Sequence, residues 1–177
     1  MPNDKLIIFI GPDMVGKTNI GQALAKDLGI QYFKNTAEHD RFKERDFLNE
    51  LKYCAPLTLL IYSQVEMTGG GLIIDRFTPC EYAYAKAYTR ETDESLLWNI
   101  DKELKKLNAV LIYCYKTKYI NFEDEVAEEK DMKAVMAGYE NYLSKTVVSY
   151  VKLDTTDENL EQQIGTIKFH LPASILT

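Results

Sequence analysis

The segment from Lys5 to Ile10 is an apolar, β-branched run from its second residue on, closed by Gly11-Pro12, and this is the pattern of a strand buried on both faces. Immediately after it, Ile20, Ala23, Leu24 and Leu28 recur at helical spacing across residues 16–28, with Gly29 as the stop. Gln31 to Lys34 reads as a short second strand, followed by a charged amphipathic helix over Glu38 to Lys52 and a helix opened by Pro56 that runs to about Met67. Gly69-Gly70-Gly71 breaks the chain before a second buried strand, Leu72 to Asp75, which ends in an acid. Helices are predicted over Thr78 to Tyr88, Asp93 to Leu107, Lys130 to Leu143 and Asn159 to Leu171, and strands over Ala109 to Tyr115 and Val147 to Leu153. The polar, acid-rich stretch after Tyr115 suggests a lid at about 116–133. Alternation of strands and helices implies right-handed crossovers, hence an α/β fold of three layers with a parallel five-stranded sheet between helices. Ligands of such folds sit beyond the carboxyl ends of the strands.

With 177 residues the chain fits one domain, and 46% hydrophobic against 27% charged residues is the balance of a globular protein. A net charge of -6 offers no general footprint for a polyanion, which disfavours long nucleic acid as a partner. Cys54, Cys80 and Cys114 lack the close spacing of zinc or redox motifs and read as reduced thiols. No apolar run approaches the roughly 20 residues that span a bilayer, and the amino-terminal residues lead into a strand without a signal-type leader. The expected location is the cytoplasm, with no membrane partner.

Chemistry enters at Gly11-Pro12-Asp13-Met14-Val15-Gly16-Lys17-Thr18, which fits G-x-x-x-x-G-K-[ST] and lies between a predicted strand and a predicted helix. Backbone N–H groups of such a loop cradle phosphates at the positive end of the following helix. Gly11, Asp13, Met14, Val15, Gly16, Lys17, Thr18 and Asn19 are therefore the expected nucleotide-binding residues. Lys17 would bridge the β and γ phosphates, and Thr18 would ligate magnesium. Asp75, delivered by an apolar strand to the same sheet edge, is a second metal ligand or a base. Arg76 beside it offers a planar fork for the phosphate of an acceptor. Arg41 and Arg45, four residues apart on one predicted helix face, could meet an acceptor phosphate too, although a solvated face is the more frequent fate of such a pair.

These residues resemble the thymidylate-kinase-like group of nucleoside monophosphate kinases. The likeness rests on the loop with Asp13 at its third position, on Asp75-Arg76-Phe77, and on Glu81-Tyr82-Ala83-Tyr84 in the next helix. It implies ATP as donor with Mg²⁺, and transfer of the γ-phosphoryl group to a (deoxy)nucleoside monophosphate, with a pyrimidine such as dTMP as the leading acceptor. It further implies that Asp13 contacts the acceptor sugar or positions an arginine, that Arg76 grips the acceptor phosphate, and that Phe77 and Tyr84 pack near sugar and base. Lys17, Asp13, Asp75 and Arg76 are the catalytic candidates, and a homodimer is compatible with the resemblance.

The chain departs from that family in one respect: residues 116–133 hold no arginine, only Lys116, Lys118, Lys130 and Lys133, so the lid cation is a lysine or comes from Arg41, Arg45 or Arg90. Two other readings stay open. A hydroxyl acceptor, on a deoxynucleoside or on a hydroxymethylated pyrimidine in DNA, would make Asp13 or Asp75 a base and is the only reading with a nucleic-acid partner. A nucleotide-dependent switch would be no enzyme, and no Asn-Lys-x-Asp segment follows Tyr115 to support it.

Overall fold

Five strands line up side by side, all parallel, in the order β2-β3-β1-β4-β5: β1 (Leu6–Ile10), β2 (Gln31–Lys34), β3 (Leu72–Asp75), β4 (Val110–Tyr115) and β5 (Ser149–Asp154). The computed structural model describes residues 5–34, 59–63, 67, 70–119 and 129–176. Its named helices are α1 (Lys17–Leu28), α2 (Thr78–Ala87), α3 (Glu94–Lys106), α4 (Glu129–Leu143), α5 (Leu160–His170) and α6 (Ala173–Leu176). The predicted helix over Glu38 to Lys52 lies outside the described residues. So does most of the one opened by Pro56, of which residues 59–63 and 67 are helical.

The continuous apolar character of β1 follows from its central place. Leu6, Ile8 and Ile10 enter one core with Ala83 of α2, Leu97 and Leu104 of α3 and Tyr139 of α4. Ile7 and Phe9 enter the other with Ile20 and Leu24 of α1, Ile167 of α5 and Ile175 of α6. Every β1 residue is fully buried, and each such side chain contributes on the order of 2 kcal/mol of transfer free energy. The edge strand β5 instead alternates, with Val151 and Leu153 inward and Tyr150 and Lys152 outward.

Helix ends differ from the sequence expectation by a residue or so, for a visible reason. Asp93 and Asn159 precede their helices as caps, accepting hydrogen bonds from the amides of Leu96 and Gln162. Strand β5 begins two residues later than its hydrophobicity suggests, because the Val147 amide donates to Asp101 and the Val148 amide to Thr146 instead of to the sheet. The expected tail after Leu171 carries one further helical turn, α6, which buries Ile175. Among the described residues no helix is long and apolar enough to cross a membrane.

Candidate active site

The loop from Gly11 to Gly16 joins β1 to α1 and is built from positive φ angles: 141° at Gly11, 62° at Met14 and 80° at Gly16. Gly11 has no alternative, since a Cβ there would lie 2.1 Å from the carbonyl oxygen of Cys114 on β4. Helix α1 opens with no side-chain cap and no acid in its first turn. Its leading N–H groups and positive dipole end are thus left for an anion. Lys17 is buried, 5% exposed, and its Nζ donates to the carbonyl of Pro12 in its own loop. Burial, assisted by the nearby Arg76 charge, pushes the Lys17 ammonium down to about 8. A phosphate seated in the loop would add to the countercharge that Asp13 and Asp75 give this ammonium and favour its charged form. Met14, Val15, Gly16, Lys17, Thr18 and Asn19 line one cleft, and Arg76 and Lys34 complete it.

Asp75 stands at the carboxyl end of β3, level with Phe9 on β1 and Lys34 on β2, and is 1% exposed. Its Oδ2 accepts two hydrogen bonds, from Thr18 Oγ1 and from the Tyr32 hydroxyl, each of 2.7 Å. Its Oδ1 is buried with no hydrogen-bond partner among the described residues. Burial and the neighbouring Asp75 raise the Tyr32 phenol, which keeps it a donor. An unsatisfied buried carboxylate oxygen beside a threonine hydroxyl suits a hard cation. No cluster of three carboxylate, histidine or cysteine groups capable of chelating a metal occurs among the described residues. This sparse donor set fits magnesium, which binds through one or two protein oxygens and completes its shell with water and substrate phosphates. Thr18 and Asp75 would hold it, and its charge would offset that of the phosphates.

Arg76 adopts φ 68°, rare for a residue with a side chain, while its amide donates to Phe9 at 3.0 Å. This turn brings the guanidinium across the strand end to Asp13. Arg76 pairs with Asp13 Oδ1, and the Tyr84 hydroxyl from α2 donates to Asp13 Oδ2. Burial alone would raise the Asp13 carboxyl, but Arg76, Lys17 and the two hydrogen bonds outweigh it and hold it below the ordinary carboxylate range. Burial raises the Tyr84 phenol, keeping it protonated, and Asp13 holds Arg76 charged in spite of burial. Asp13 and Arg76 thus form one ion pair at the edge of the phosphate loop.

The remaining expected residues are less central. Phe77 is 4% exposed and packs in the core beneath α2. Arg41 and Arg45 lie outside the described residues, as does the middle of the expected lid. Lys116 at the end of β4 turns to Glu158, 2.7 Å away, and Arg90 pairs with Glu81 at 3.4 Å. Tyr32, Lys34 and Tyr139 belong to the site without having been singled out in the sequence. A lone tyrosine or lysine on a short edge strand carries no local signal. Only the β2–β3 register, which sets Lys34 beside Asp75, reveals Tyr32 and Lys34, and only the hydrogen bond to the Gly11 carbonyl reveals Tyr139 on α4.

The strand order, the phosphate loop and the acid at the end of β3 together define a P-loop kinase fold. Solved structures with this architecture include the YorR protein of Bacillus subtilis in complex with phosphorylated GDP, at 21% identity, TM-score 0.65, and coverage of 93% of this chain and 94% of that one. Thymidylate kinase from Ehrlichia chaffeensis is similar at 17% identity and TM-score 0.63, covering 95% and 98%. Deoxyadenosine kinase from M. mycoides with bound dCTP is similar at 17% identity and TM-score 0.57, covering 92% and 96%. At such identities the likeness is one of fold. No family model matches the chain, and no curated protein matches it in sequence.

Proposed function

We propose that this protein is a phosphotransferase that moves the γ-phosphoryl group of Mg-ATP onto a (deoxy)nucleoside monophosphate, with a pyrimidine such as dTMP as the first acceptor to try. The observation that carries the reading is the clasp in which Asp13 presents Arg76 to the cleft that Lys17 also lines. A half-buried, permanently charged fork at that place is suited to a second phosphate, held in line with the one bound by the loop.

The state of the two acids supports a monophosphate over a hydroxyl acceptor. A hydroxyl must lose its proton as the new bond forms, and a general base works best with a pKa near the operating pH. Asp13 has both oxygens hydrogen-bonded and is held below the ordinary range, while Asp75 gives one oxygen to Thr18 and Tyr32 and has the other buried. Asp13 is therefore poorly disposed as a base, and one oxygen of Asp75 is already committed to Thr18 and Tyr32. The oxygen of a phosphate monoester is already anionic. It can attack the γ-phosphorus as the bond to the β-bridging oxygen breaks, releasing ADP with no proton transfer required of the protein. Lys17 and the amides of the loop would stabilise the charge on the transferring group. The similar folds named as thymidylate and deoxyadenosine kinases add support for a nucleotide or nucleoside acceptor.

ADP release with Mg-ATP against a panel of deoxynucleoside monophosphates, deoxynucleosides and hydroxymethylated-pyrimidine DNA tests this, with Lys17→Ala as control. Turnover on a monophosphate, lost in the control, is the expected result. Turnover confined to hydroxyl acceptors would overturn the monophosphate reading.

A further inference from the structure

Tyr139 of α4 is fully buried, yet it carries a hydroxyl where phenylalanine would fill the same space. That hydroxyl donates to the carbonyl of Gly11 at 2.9 Å, joining positions 128 residues apart in the chain. Gly11 is the foot of the phosphate loop, already pressed against the Cys114 carbonyl on its other side. The Tyr139 ring also meets Tyr84 edge-on, with centroids 6.4 Å apart and planes at 88°. Tyr84 is the residue that holds Asp13. One position earlier, Gly138 allows α4 to touch α2 directly, since a Cβ there would lie 2.5 Å from the Ala83 carbonyl oxygen. Burial raises the Tyr139 phenol far above its usual range, so the hydroxyl remains a donor.

We infer that Tyr139 is a positioning residue for phosphoryl transfer, bracing the foot of the phosphate loop and, through Tyr84, the Asp13–Arg76 clasp against one helix. The inference rests on the kinase reading above. In-line transfer depends on the spacing between two separately bound groups, and a displacement of about 1 Å costs on the order of a hundredfold in rate. The Tyr84–Asp13 hydrogen bond ties the middle of the loop to α2, and the Tyr139 hydroxyl ties its foot to the helix packed on α2. A loop tied through Tyr139 to the helix that packs on α2 keeps that spacing.

Tyr139→Phe removes the hydroxyl and keeps the ring. With both proteins held well below their unfolding temperatures, kcat should fall about tenfold while KM for ATP stays within about twofold, because the loop still binds phosphate. The variant should also release more ADP per acceptor phosphorylated. Amide hydrogen exchange at residues 11–16 should quicken in the variant while β5 is unchanged. Wild-type values of both kcat and KM would overturn the inference, and so would a loss of MgADP binding that simply tracks unfolding. If the wild-type protein phosphorylates no acceptor, the kinase reading fails and exchange decides the brace. Unaltered exchange at residues 11–16 then overturns it, and selective quickening there upholds it.

Discussion

Asp13 has no oxygen to spare: one is taken by Arg76 and the other by Tyr84, and its neighbours keep it ionised. Its folded pKa lies below the unfolded value of about 3.9, so its stabilising contribution is present above that value and is lost as pH falls through the folded one. The stability difference between wild type and Asp13→Asn should therefore be constant between roughly pH 5 and 8 and shrink below about pH 4, as read from urea midpoints across pH. The same substitution loosens the Arg76 fork, and KM for the acceptor should rise about tenfold with a smaller effect on KM for ATP. Lys17→Ala removes the cation that faces the transferring group and should lower kcat by at least about a hundredfold in the same assay. Asp13, Lys17, Thr18, Asp75 and Arg76 were all legible as candidates, because the loop motif and an acid at a strand end are local patterns. Tyr32 and Tyr139 were not, since each acts across 43 or 128 residues and looks in sequence like any other tyrosine among twelve.

Helices α2 and α4 meet at Gly138, where no side chain fits. Gly138→Ala should force the pair apart and destabilise the protein by about 1–3 kcal/mol, despite alanine's better helix propensity. Thermal melts of the two proteins check this, and an unchanged midpoint would show that α4 can shift at no cost. Periodicity foretold both helices but not their contact, because a glycine inside a helical pattern signals close packing only once its neighbour is known. Strand β5 starts later than its sequence suggests for a similar reason: Val147 and Val148 have strand character, yet the buried Asp101 on α3 and Thr146 take their amides. Asp101 also accepts from Tyr142 and Thr146, so α3, the end of α4 and the approach to β5 close around one carboxylate.

Across the whole molecule, the five strands, their parallel sense and the flanking helices could be inferred from the alternation of apolar runs and helical periods. The neighbour order could not be read from hydrophobicity, apart from the central place implied by the uniformly apolar β1. That order matters for function because it sets β3, with Asp75 and Arg76, directly beside β1 and its loop. The cleft is consequently cationic, lined by Lys17, Lys34 and Arg76, in a chain whose net charge is -6. Such a site attracts small polyphosphates while the molecule as a whole repels long polyanions. Affinity for MgADP should accordingly weaken as salt is raised, as titration calorimetry across ionic strength would show.

Met14 is half-exposed at the tip of the phosphate loop and holds a left-handed backbone that glycine would adopt without strain. A side chain there disfavours the native turn by about 1 kcal/mol, and it also narrows the range of shapes open to the unfolded chain. Glycine at this position would relax the turn and leave the loop freer to wander before a phosphate arrives. The natural residue thus sits at a point where ease of folding and readiness for the ligand pull in opposite directions. A search for more stable variants that chose glycine here would select for the first at the expense of the second.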